Sequence, residues 1–294
     1  MTTQSPVFKS AHGQAQFLAA YDAAMALWGV PFERRDVRTR FGSTHVIASG
    51  AESAPPLVLL HCALMTSAIW SPVIGDLSAH FRTYAVDVIG DVGRTIPSNP
   101  PRTYEDFGRW LDETLDALGV TKASVLGWSF GGFAAANFAI HAPVRVARLV
   151  LLAPFATFVR PGLGFLAGFL PMMLPTRRVS RWFERRLCYA GTFGPAEHSE
   201  LLYRRFRYGR VAFKIAPRTF SDDELARLTM PTLLLVGEQE FLYDGHAAVQ
   251  RARRSLPNCR AHLIPQCNHA VVSDQTAILR AHLLDFLKPG TKEA

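Results

Sequence analysis

The chain is poor in cysteine and has neither a lysine-rich tail nor an uninterrupted apolar run long enough to span a bilayer. Each gap excludes something. Its 4 cysteines, Cys62, Cys188, Cys259 and Cys267, show no C-x-x-C or other metal-ligand spacing, so no metal centre is expected. Cys259 and Cys267 bracket residues 260–266, which read as a strand; drawn out, its ends lie roughly 25 Å apart, too far for a disulfide. Free thiols in a reducing cytoplasm are the simplest account, and a cytoplasmic location is expected. The greasiest segment, residues 161–175 (PGLGFLAGFLPMMLP), is broken by proline and glycine and is too short to cross a membrane. Residues 1–16 lack the apolar core of a signal peptide. The formal charge of +8 raises nucleic acid as a partner, yet the basic residues are mostly scattered arginines without a reader motif. No nucleic acid and no membrane are expected; the charge favours anionic or neutral partners over cationic ones.

What is present is an ordinary globular composition, 49% hydrophobic and 19% charged over 294 residues, enough for one large α/β domain with an insertion. Residues 16–28 carry Phe17, Tyr21, Met25 and Trp28 at helical spacing. Residues 32–41 and 44–49 read as a hairpin turning at Gly42-Ser43. Continuous apolar runs at 57–60, 84–88, 123–126, 147–153, 231–237 and 261–264 suit the buried strands of a parallel sheet. Between them lie helical stretches around 70–79, at 104–118, from 133 and at 276–287. Alternation of this kind predicts a mostly parallel central sheet flanked by helices. The rhythm fails over residues 155–223, where arginines interleave with aromatics and no strand is evident. This part is read as a helical cap inserted into a core made of 1–154 and 224–294. Its apolar residues Phe165, Leu166, Phe169, Leu170, Met172 and Met173 suggest a hydrophobic substrate group.

Gly127-Trp128-Ser129-Phe130-Gly131-Gly132 joins the strand at 123–126 to the helix that follows. Strand, G-x-S-x-G and helix together predict a nucleophile elbow, a turn so sharp that side chains at Gly127 and Gly131 would collide. A G-x-G-x-x-G or P-loop reading fails on spacing. Serine needs a base and an orienting acid. In open α/β sheets such groups collect in loops after strands. His269 sits between the last strand and the last helix. After the strand at 231–237 come Glu238, Glu240 and Asp244; Glu240 is preferred as the acid, Asp244 is its rival and otherwise a helix cap, and Glu238 caps or pairs locally. The oxyanion donors expected are the backbone N–H groups of Phe130, just after the serine, and of Ala63, in the loop after residue 60. His61 is assigned a structural part in shaping that loop.

Taken together, Leu59-Leu-His61, Trp70, Asp87, the Ser129 elbow, Gly237-Glu-x-Glu240 and Asn268-His269 resemble the α/β-hydrolase superfamily. The runs Phe41-Gly-x-Thr-His-Val-Ile, Tyr84-Ala-Val-Asp-Val-Ile-Gly-Asp91 and Gly237-Glu-x-Glu240-x-x-Tyr-Asp244 resemble bacterial carboxylesterases of the type called carboxylesterase NP. The resemblance implies an α/β-hydrolase fold and hydrolysis of a small-molecule ester by Ser129, His269 and Glu240, with no cofactor. It also favours Glu240 over Asp244. One departure stands out: the family has His-Gly where this chain has His61-Cys62, and glycine there eases backbone angles costly to other residues. Rival readings on the same scaffold are a carbon–carbon bond hydrolase and a small-molecule receptor without turnover.

Overall fold

Apolar continuity decides where the strands fall. A computed structural model describes residues 5–165, 174–210 and 214–288 of the chain. Among them the strands are β1 (Phe32–Thr39), β2 (Gly42–Ser49), β3 (Pro56–Leu60), β4 (Arg82–Val86), β5 (Ile96–Pro97), β6 (Ala123–Trp128), β7 (Val146–Leu152), β8 (Thr232–Gly237) and β9 (Cys259–Ile264). They form one sheet ordered β1-β2-β4-β3-β6-β7-β8-β9, with β5 paired to β2. Pairing is antiparallel from β1 through β2 to β4. From β4 through β3, β6, β7 and β8 to β9 every ladder is parallel. Every residue of β6 and β8 is buried, which is why these strands read as unbroken apolar runs rather than alternating ones.

The helices are α1 (Ala11–Met25), α2 (Ser71–Ser78), α3 (Tyr104–Ala117), α4 (Phe130–His141), α5 (Arg177–Leu187), α6 (Ala196–Tyr208), α7 (Asp222–Ala226), α8 (Gly245–Ser255), α9 (Val271–Asp274) and α10 (Thr276–Leu287). α4 is apolar on all sides and is buried from Phe130 to Ile140, as a helix without a polar face must be. α3 is amphipathic and opens with a reciprocal cap between Thr103 and Asp106. No helix among the described residues is long and apolar enough to cross a membrane.

Several boundaries differ from the sequence reading: β9 covers Cys259–Ile264 and gives way to a turn at 265–266, so 260–266 is not one strand, α4 begins at Phe130 rather than 133, and β4 ends at Val86 rather than 88. α1 begins at Ala11 rather than near Gln16, because the Ser10 side chain accepts the Gly13 N–H at 3.0 Å and starts the helix early. The hairpin turns at Arg40-Phe41, two residues before Gly42-Ser43. Gly42 instead opens β2 at φ 142°, where a side chain would collide with the carbonyl of Ile96 on β5. β4 begins at Arg82, whose buried guanidinium is held by Glu33 (2.9 Å) and the Gly50 carbonyl (2.8 Å).

Residues 155–223 contain α5, α6 and the start of α7, and no strand among those described. α6 lies against α1: Gly13 meets the Tyr208 ring, and Lys9 donates to the Tyr208 carbonyl at 2.9 Å. Of the apolar residues read as lining a substrate site, Phe165 is described and Leu166, Phe169, Leu170, Met172 and Met173 lie outside the described residues. All four cysteines are free.

Candidate active site

β6 ends at Trp128 and α4 begins at Phe130, leaving Ser129 alone on the corner with φ 55° and ψ −114°. Such a conformation costs a non-glycine residue on the order of 1–3 kcal/mol and persists only where its surroundings impose it. Here they do. A Cβ on Gly127 would strike the Gly131 carbonyl, and one on Gly131 would strike that of Leu60 at the end of β3. Gly132 is needed for a different approach: its Cβ would come within 2.9 Å of Pro154, just after β7. The Ser129 N–H donates to the Leu152 carbonyl at 2.8 Å, so the corner is pinned to the neighbouring strand.

His269 arrives from the loop between β9 and α9. Its Nε2 lies 2.7 Å from Ser129 Oγ and its Nδ1 lies 2.8 Å from Glu240 Oε2. The His269 side chain is 5% exposed and that of Glu240 0%, so the hydrogen-bonded chain is shielded from water. The second Glu240 oxygen accepts the Leu242 N–H at 2.9 Å. With one oxygen held by the backbone and the other on Nδ1, the carboxylate leaves Nε2 to the serine. The sequence thus placed three residues from far apart that the fold brings together. Asp244 goes elsewhere: it caps α8, accepting the Ala247 N–H at 2.9 Å. Glu238 is exposed.

Two residues that the sequence reading quoted without a role support the histidine. Asn268 holds the histidine loop by accepting the His269 and Phe241 N–H groups (2.8 and 3.0 Å) while its amide donates to the Arg186 carbonyl on α5 (2.9 Å). Tyr243 sets its ring edge-on to His269, 6.5 Å between centroids. Burial, and then the Glu240 charge, push its hydroxyl well above the usual tyrosine range. The Asn-His pair was legible, but neither role has a periodicity to betray it.

Opposite the histidine, the loop after β3 is shaped by His61. Its Nε2 accepts the Val88 N–H at 2.9 Å and its Nδ1 donates to the Cys62 carbonyl at 2.8 Å, so both ring nitrogens are engaged away from the serine. The left-handed residue in this loop is Leu64, at φ 72°, and Cys62 is not among the positive-φ positions. A side chain at position 62 therefore fits without backbone strain. Cys62 is buried, and burial followed by the charge of Asp91 pushes its thiol well up, away from the thiolate a nucleophile requires. Beside this loop, Asp87 collects the Tyr21 hydroxyl (2.9 Å), the Ser67 N–H and hydroxyl (3.0 and 2.8 Å) and the Arg94 N–H (2.8 Å). Burial would raise its carboxyl; the His45 ring and the backbone donors from Arg94 and Ser67 outweigh this and hold it below the ordinary range.

Ala63, Ser129, Phe130 and His269 open on one cavity of about 420 Å³. Phe155, Phe165, Phe183, Leu187, Phe193 and Leu202 supply much of its apolar wall. A nucleophile elbow on a mostly parallel sheet, with histidine and carboxylate in later strand loops, is the arrangement of an α/β hydrolase. The chain belongs to the alpha/beta hydrolase family, whose sequence model matches residues 57–281. Within it the chain is similar to the uncharacterized carboxylesterase nap of Bacillus subtilis (strain 168), 34% identical over 94% of this chain and 93% of that protein. It is equally similar to carboxylesterase YbfK of the same organism, 34% identical over 99% of this chain and 100% of the relative. The crystal structure of naproxen esterase (carboxylesterase NP) from Bacillus subtilis superposes with a TM-score of 0.90 at 33% identity, covering 95% of this chain and 100% of that one.

Proposed function

We propose that the chain hydrolyses carboxylic esters bearing a hydrophobic acyl or alcohol group, by a two-step acyl transfer through Ser129. His269 takes the hydroxyl proton as Ser129 attacks the carbonyl carbon, and Glu240 stabilises the imidazolium that results. The N–H groups of Phe130 and Ala63 receive the oxyanion. His269 then hands its proton to the leaving alcohol, and water repeats the cycle to free the acid. The observation that carries this reading is the unbroken hydrogen-bonded series from Ser129 Oγ through His269 to Glu240, at 2.7 and 2.8 Å, opening on an apolar cavity. Full-length similarity to two carboxylesterases supports the ester bond as the target. The segment 155–223 acts as a cap: α5 contributes Phe183 and Leu187 to the cavity wall and α6 contributes Leu202, and an apolar wall of this kind selects apolar substrate groups.

Labelling with a fluorophosphonate followed by peptide mapping tests the nucleophile. Modification should fall on the Ser129 peptide alone, and Ser129→Ala should abolish both labelling and turnover of p-nitrophenyl esters while retaining the native circular dichroism. Ester turnover at near-native rate in Ser129→Ala would reject the scheme.

A further inference from the structure

Asp91 follows β4 by five residues and its side chain is 1% exposed. Its oxygens are divided between two parts of the molecule. Oδ2 accepts the Leu64 N–H at 2.7 Å. Oδ1 accepts the Val92 N–H at 2.8 Å and the Arg205 Nε–H at 3.0 Å. Leu64 is the residue after Ala63 and stands at φ 72°. Arg205 lies on α6, 4% exposed, and lines the same cavity as Ala63 and Ser129. Thus one carboxylate grips the loop that would supply an oxyanion donor and, through a buried guanidinium, the helix that closes the cavity.

As a source of stability the pair is poorly built. Desolvating two charges offsets most of their attraction, and Arg205 Nη2 is buried without a hydrogen-bond partner, which adds a further penalty. Replacing such a pair with apolar groups often leaves a protein as stable as before. What an apolar pair could not do is hold the N–H of a residue in the left-handed region. The Ala63–Leu64 peptide stays in its costly conformation because something accepts the Leu64 N–H, and the plane of that peptide sets the direction of its neighbour across Ala63.

We propose that Asp91, itself fixed by Arg205, is a positioning residue for ester hydrolysis: it holds the Leu64 N–H so that the Ala63 N–H points at the developing oxyanion. The inference rests on Ser129 being the nucleophile, and it adds that the donor geometry depends on a contact with α6. In Asp91→Asn the amide keeps its size but offers one accepting atom where the carboxylate offers two, and turns N–H groups toward a donor. Displacing a reacting group by about 1 Å costs on the order of 100-fold in rate.

The experiment compares wild type, Asp91→Asn and the double variant Asp91→Asn/Arg205→Met, which removes both charges and so leaves none buried alone. Each is assayed for kcat and KM on a p-nitrophenyl ester. Two inhibitors are titrated in parallel: a trifluoromethyl ketone, which adds to serine and forms an oxyanion, and the matching secondary alcohol, which cannot. The expected result is a kcat lower by on the order of 100-fold, a matching loss of ketone affinity, and KM and alcohol affinity within about threefold of wild type. A double variant with native circular dichroism and unchanged kcat and ketone affinity overturns the proposal. So does equal loss of ketone and alcohol affinity, which marks a collapsed pocket. Stoichiometric fluorophosphonate labelling of Ser129 in all three proteins keeps this outcome separate: if wild type fails to label, the nucleophile assignment falls instead.

Discussion

Two carboxylates four residues apart, Glu240 and Asp244, do different work. Glu240 faces His269 Nδ1, with 0% of its side chain exposed, whereas Asp244 caps α8. Their substitutions should therefore separate cleanly. Glu240→Gln should lower kcat by about 10³- to 10⁴-fold with little change in KM, since an amide can donate to Nδ1 and impose the wrong tautomer. Asp244→Ala should leave kcat in place and cost about 1 kcal/mol of stability through the lost cap. Steady-state kinetics and thermal melts of the two variants decide the matter, and the reverse pattern would move the acid to Asp244. At this scale the sequence was informative where spacing alone constrains chemistry: a serine in a glycine-framed corner, a histidine after the last strand, an acid three residues past Gly237. Asp91, Asn268 and Tyr243 entered the sequence reading only as residues within resembling runs, with no role attached. A side chain that grips a backbone N–H dozens of residues away leaves no period and no local composition to read, and its partner is an atom every residue possesses.

Elements were legible in proportion to how completely they are buried. β3, β6 and β8 announce themselves because both faces are covered; β4 hid its first two residues because Arg82 looks like a surface residue until Glu33 and Gly50 enclose it. The two residues of β5 are too few for any pattern. α7 is a short helix secured by charge. Ser221 and Glu224 cap it reciprocally, and Arg218, packed over Tyr104 at 4.7 Å from the ring centroid, lies 2.8 Å from Glu224 Oε2. The Arg218 guanidinium, acting against partial burial and aided by the Ser221 N–H, lowers the Glu224 carboxyl from its ordinary 4.5 to about 2. A carboxyl depressed on folding contributes stability above its unfolded pKa and loses it as pH falls through the folded one. The contribution should thus be whole above pH 4.5 and gone near pH 2. Thermal midpoints of wild type and Glu224→Gln, taken in steps across this window, should converge as the pH drops; curves that stay parallel would show that the pair does not stabilise the native state.

For the whole molecule the question is how segment 155–223 and the sheet act as one. They share the cavity: Ala63, Ser129 and His269 come from loops at the carboxyl ends of β3, β6 and β9, while Phe183, Leu187 and Leu202 come from α5 and α6. They share polar ties as well, the buried pair Arg205–Asp91 and, nearer the surface, the Asn268 amide to the Arg186 carbonyl. An apolar ligand seated between these walls adds contacts to both, and a ligand at 100 times its Kd stabilises the state that binds it by about 2.7 kcal/mol. Opening of α5 and α6 away from the core would destroy the site, so that free energy must also oppose the opening. Hydrogen exchange with and without a saturating, non-hydrolysable apolar ester analogue should then show slower exchange in α5 and α6 as well as around the Ser129 corner. Protection confined to the core loops would mean that the ligand does not touch α5 and α6, and the proposed selectivity for a hydrophobic group would have to come from the sheet side alone. Because Phe183 and Leu187 lie one turn apart on α5 and line the cavity, with Arg178, Arg181 and Arg185 exposed, a single helix divides its faces between cavity and solvent. The same exchange data, compared between Phe183→Ala and wild type, should show the ligand-dependent protection of α5 diminished while that at the Ser129 corner persists.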